Sequence, residues 1–170
     1  MPPGLRKAAL VGHVTSSVGW LGAVAAFLVL AVTALHTADD AAMRSLYVAM
    51  EVLGRAVLVP FAAASLVTGL VQSLGTSWGL IKHWWVIVKL AITVVATAIL
   101  LAYTSTLSLL ADAARDPSGH ANLPSASPVL HSGAALAVLL AAAALSVYKP
   151  RGLTRHGWRK QQTARDAARP

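Results

Sequence analysis

Residues 84–110 read WWVIVKLAITVVATAILLAYTSTLSLL, a run whose one charged side chain is Lys89. An α-helix rises about 1.5 Å per residue and the hydrocarbon core of a bilayer is about 30 Å thick, so about 20 apolar residues cross it. The run predicts a membrane-spanning helix, entered at Trp84 and Trp85, where indole rings favour the headgroup level. Working outward, a polar loop rich in Pro, Ser and Asp follows (Asp112 to Ser127). A fourth apolar run, Val129 to Tyr148, then stops at Lys149-Pro150-Arg151.

On the other side, Leu74 to Gly79 reads as a turn, preceded by a helix that starts near Ala41 and spans about 43–73. Its strictly apolar part, Ala56 to Val71, is short, and the amphipathic Met43 to Arg55 segment completes it. Pro60 predicts a kink, which membrane helices tolerate where neighbours satisfy the freed carbonyl. The first run, Ala8 to Leu35, exceeds the apolar core of about 7 to 15 residues in a cleaved signal peptide, so a retained helix is expected. The spans are 8–35, 43–73, 84–110 and 129–148, which predicts an all-α antiparallel four-transmembrane-helix bundle. The domain covers 1–148, with a basic tail at 149–170.

Composition agrees. Of the 170 residues 56% are apolar and 12% charged, with mean hydropathy +0.65; a soluble domain carries about 25% charged residues. The net charge of +8 does not indicate nucleic acid, because seven of the fourteen Lys and Arg lie after Tyr148 and Arg6 and Lys7 precede the first run. With both termini inside, ten basic residues fall on the inner side and two, Arg44 and Arg115, on the outer. Under the positive-inside rule both termini are therefore cytoplasmic, and Trp78, Trp84, Trp85 and Tyr148 form an inner aromatic belt. The chain has no cysteine, which excludes disulfides and thiolate metal sites.

Small and polar residues mark where such helices meet. Gly12, Ser16, Gly19, Ala23 and Ala26 share a face of the first helix, and Lys89, Thr93 and Thr97 a face of the third. On the second, Tyr47, Glu51 and Arg55 are continued by Ser65, Thr68 and Gln72. These stripes are expected to face one another within the bundle, or one of them to be buried in a homodimer or larger membrane complex.

Three sets of residues could carry chemistry. Glu51 and Arg55 stand at i, i+4 with the acid first, the favourable order; each charge alone at the bilayer centre would cost about 2.5–3.5 kcal/mol. They form either a self-neutralising structural pair or the wall of a polar cavity. His13 and His83 share the inner level, as a bis-histidine haem b requires; His13 and His36, 23 positions apart, are separated by about 34 Å, so haems held there would lie at the boundaries. At the outer level His36, His120 and His131, with Met43 and Met50, supply imidazole and thioether, a copper-type set, although loop histidines are more often simply solvated. Lys89 either snorkels to the headgroups or pairs with an anionic ligand from the Thr-lined face. No nucleophilic triad or zinc-hydrolase motif is present, and Gly75 to Gly79 lacks the context of a phosphate loop.

The segment His13-Val14-Thr15-Ser16-Ser17-Val18-Gly19-Trp20-Leu21-Gly22 resembles the opening of a group of bacterial membrane proteins. Thr68-Gly69, Gly75 to Gly79 and Val88-Lys89-Leu90 resemble its middle. Leu145 to Gly152 is similar to the end of a four-span, actinobacterial-type family of high-GC bacteria. More distantly the chain resembles the CopD copper-resistance proteins and the HemJ protoporphyrinogen oxidases. That resemblance implies a helical bundle of the bacterial inner membrane with a copper or haem connection, His13 matching the first-helix histidine and Lys89 the third-helix lysine. It departs from HemJ in lacking proline-arginine after the first helix and in reading Tyr103-Thr104 for tyrosine-histidine. Three functions follow as expectations: a haem- or copper-binding redox or metal-handling bundle, a structural or accessory membrane protein without cofactor, and a small transporter with Glu51 and Arg55 in its pathway.

Overall fold

A computed structural model describes residues 2–75, 83–116 and 125–148, together with residues 152, 154, 158, 159 and 162 of the tail. Trp78, Lys82, His120 and most of the basic tail lie outside the described residues. Four helices are each long and apolar enough to cross a membrane: α1 (Pro3–His36), α2 (Asp40–Gly75), α3 (Trp84–Arg115) and α4 (Ser127–Tyr148). The chain is thus a multi-pass helical membrane protein whose outer faces meet lipid. Val18, Val67, Ile99 and Leu140 are among the apolar side chains turned outward.

Each helix packs on its neighbours in sequence, and α4 closes the ring against α1. The diagonal pairs, α1 with α3 and α2 with α4, make no backbone approach among the described residues, so the section is a square with room at its centre for side chains. Along α1 the residues Ser16, Trp20, Val24, Phe27, Ala31 and Ala34 are buried at helical spacing. The expected small-residue stripe faces α2 at Gly12 and Gly19, opposite Thr68 and Phe61, and turns outward by Ala26.

Apolar helices gain nothing from burial when the solvent is itself hydrocarbon, so close contact and polar pairing hold them together. Glycine serves the first need: a Cβ on Gly19 would lie 2.9 Å from the Phe61 ring. Hydroxyls serve the second where Ser17 of α1 meets Ser65 of α2 at 2.8 Å. Thr93 and Thr97, expected to point across the bundle, donate to carbonyls of their own helix at 2.9 and 2.8 Å. Every buried side-chain nitrogen or oxygen among the described residues has a partner.

The ends differ from the expected spans. Asp39 accepts from the backbone N–H groups of Ala41 and Ala42 and so starts α2 at Asp40, satisfying donors a helix start leaves orphaned. α3 continues five residues past Leu110, to Arg115. Within α2 the irregularity is one π turn, Gly54–Leu58, where the Val59 N–H bonds the Gly54 carbonyl. It lies directly before Pro60, which has no N–H to offer the preceding turn and crowds it. The buried residues of α2 are Met43, Tyr47, Met50, Gly54, Leu58, Ala62 and Ser65. Three successive steps of four would swing the buried face by about 120° in a regular helix at 100° per residue. The wider π turn absorbs that drift.

Gly19→Val should lower the unfolding free energy by about 1–3 kcal/mol, the usual cost of overpacking. Gly22→Val, where a Cβ meets nothing within 4 Å, should leave it nearly unchanged. Unfolding of both variants in mixed micelles checks the pair.

Candidate functional site

At the end of the bundle that carries the termini, α1, α2 and α3 bring together His13, Ser17, Ser65, Thr68 and Lys89. The His13 ring packs against α2 where Gly69 leaves space; a Cβ there would lie 3.1 Å from His13 Cε1. His13 Nδ1 is 3.1 Å from the Ser65 carbonyl oxygen and 3.1 Å from Thr68 Oγ1. A carbonyl only accepts, so Nδ1 carries the hydrogen. Thr68 in turn donates to the Ala64 carbonyl at 2.6 Å, which leaves its oxygen to accept from His13. The remaining ring nitrogen, Nε2, therefore presents a lone pair, and Lys89 Nζ lies 3.5 Å from it. Beside this pair, Ser17 and Ser65 hydroxyls meet at 2.8 Å, and Gln72 donates to the Ala9 carbonyl at 3.0 Å.

Lys89 thus reaches across the diagonal of the square, from α3 to α1. The sequence grouped His13 with His83 by depth and placed Lys89 on a threonine face. It carried no signal for the rotation that points Lys89 at the imidazole. His83 is the residue before α3, half-buried, with its ring centroid 6.5 Å from that of Trp85. Five of the six acidic residues, Asp39, Asp40, Glu51, Asp112 and Asp116, belong to the opposite end; the sixth, Asp166, lies outside the described residues.

At that opposite end Glu51 is shared. Its carboxylate accepts from Arg115 at 2.5 Å and stands 3.7 Å from Arg55. Arg115 also bonds Asp112 at 2.8 Å, and Arg55 turns outward to donate to Ser108. The principal partner of Glu51 is therefore Arg115, a residue expected in a loop, and the pairing ties α2 to α3. Arg44 continues the seam by donating to the carbonyls of Ala113, Ala114 and Asp116.

The described members of the expected histidine and methionine set have other surroundings. Met43 and Met50 are buried in the core. His36 Nδ1 donates to the Val32 carbonyl at 2.9 Å and His131 Nδ1 to the Ser127 carbonyl at 2.9 Å, each four residues back on its own helix. Among the described residues no three His, Cys, Asp or Glu side chains gather as a metal site would need; His120 lies outside them. A porphyrin iron at His13 would require the Nε2 lone pair that Lys89 already faces, in a ring packed against Gly69. The residues as placed do not fit haem. The chain matches no protein-family model, no curated protein and no solved structure.

The His13 ring should be the Nδ1–H tautomer, readable from its ¹⁵N shifts in labelled protein. Thr68→Val should leave that tautomer in place, because the Ser65 carbonyl remains. A spectrum of the opposite tautomer would contradict the arrangement.

Proposed function

We propose that the protein is a small binding bundle of the bacterial inner membrane with both termini in the cytoplasm. Its working centre is the His13–Lys89 pair, and its ligand is an anionic group, a carboxylate or phosphate, presented at the cytoplasmic headgroup level. One observation carries this reading. Lys89 meets the acceptor nitrogen of an imidazole, and no described acid lies at its end of the bundle. A cation within a membrane segment normally pairs with an acid or marks a ligand site. Here the described acids are at the far end, which leaves the positive charge for a ligand.

Depth agrees. Lys89 follows Trp84 by five residues, about 8 Å along the axis, within reach of groups at the interface. His13 keeps the ammonium in place by accepting from it and presents no competing negative charge. The ten-to-two distribution of basic residues supports the cytoplasmic placement of this end. The Glu51–Arg115–Arg55 network reads as a helix clamp, since each of its charges is already paired or hydrogen-bonded.

Binding to the detergent-solubilised full chain tests the proposal. Dodecyl phosphate and laurate represent membrane-borne anions, inorganic phosphate and acetate free ones, and dodecyltrimethylammonium is the cationic control. Saturable binding of anions should weaken by about tenfold or more in Lys89→Met, as loss of a hydrogen bond from a charged group predicts, and survive in Lys89→Arg. Preference for the dodecyl anions over the free ones would give the source as the membrane. Binding unchanged in Lys89→Met would defeat the proposal, and a Soret band lost on His13→Ala would put the haem reading in its place.

A further inference from the structure

A second feature goes beyond the anion site. A cavity of about 670 Å³ runs between the helices, with Trp20 and Phe27 of α1, Ile99 and Tyr103 of α3, and His131 and Leu139 of α4 among its walls. Its volume falls within the range of about 300–1,000 Å³ typical of small-molecule sites. It opens toward lipid between α3 and α4, where Ile99 is 53% and Leu130 69% exposed. A hollow facing hydrocarbon fills with something apolar, because an unfilled one forgoes its dispersion contacts.

The walls are apolar except at one corner. There the His131 ring stacks on Tyr103, with centroids 4.0 Å apart and planes 18° from parallel. The third polar wall residue, Ser132, donates its hydroxyl to the Pro128 carbonyl of its own helix at 2.6 Å. The Tyr103 hydroxyl meets Ser127 Oγ at 3.1 Å. His131 Nδ1 holds its hydrogen on the Ser127 carbonyl, so Nε2 of the neutral ring is an acceptor, and it has no hydrogen-bond partner among the described residues. This corner lies at the first turn of α4, where a membrane amphiphile places its head while its tail enters the core.

The chemistry of the corner selects the head. A phosphate head would need a cation, and no Lys or Arg is among the residues lining the cavity. An acceptor without a partner among the described residues, beside a flat ring stack, calls for a neutral, planar head that donates a hydroxyl. We infer that the cavity between α3 and α4 is a binding site for a lipid-borne hydroquinone, its hydroxyl donating to His131 Nε2 beside Tyr103 and its tail lying along Ile99 and Leu139.

Equilibrium binding of decylubiquinol, kept reduced, to the full chain in phosphatidylcholine–phosphatidylglycerol nanodiscs tests this, with empty nanodiscs as the partition blank. Saturable one-to-one binding is expected. His131→Phe keeps the stack and removes the acceptor, and should weaken binding about three- to tenfold, the effect of one neutral hydrogen bond. Ala135→Phe, which fills the cavity, should abolish it, and decylubiquinone should bind less tightly than the quinol. Equal binding by wild type and His131→Phe would overturn the inference. So would the absence of saturable binding, a quinone bound as tightly as the quinol, or a phospholipid in native mass spectra that the quinol does not displace.

Discussion

Hydrocarbon offers no hydrogen bonds, and a polar group carried into it must find its partner within the protein. The four helices answer this in two ways. Along most of their length the backbone is satisfied within each helix and the threonine and serine hydroxyls fold back onto their own carbonyls, as at Thr93, Thr97 and Ser132. Among the described residues the side-chain hydrogen bonds between helices fall toward the two ends. The termini-bearing end makes them with imidazole, amine and hydroxyl, and the far end with guanidinium and carboxylate. The largely apolar cavity lies between these two ends.

The two polar ends do different work because their charges balance differently. Glu51 and Asp112 pair with Arg55 and Arg115, and that network holds helices in register. His13 and Lys89 share one positive charge with no described acid nearby. The tight fit of the His13 ring against Gly69 and its bond to the Ser65 carbonyl make it a rigid acceptor. The flexible stem of Lys89 is then the part that can follow a ligand.

Hydropathy made the four spans legible, because length and the absence of charge are properties of a segment by itself. The basic residues and tryptophans marked their ends for the same reason. The helix partners were legible only as stripes. Gly12, Gly19, Ser65, Thr68 and Gln72 do face one another, but which side chain meets which depends on rotation about two axes, and no periodicity encodes that. Hence Lys89 could be placed at the right depth but not against His13. The Glu51–Arg55 spacing suggested a self-contained pair because Arg115 was expected beyond a helix end. Five further residues of helix brought that guanidinium within reach. The cavity left no trace in the sequence, since most of its walls read as ordinary apolar positions of the spans.

The π turn of α2 has one more consequence. Because Gly54–Leu58 takes up the accumulated phase error, the half that carries Glu51 and the half that carries Ser65 each keep a buried face within the same bundle. One helix can in this way serve an ionic clamp at one surface and seat the His13 imidazole at the other.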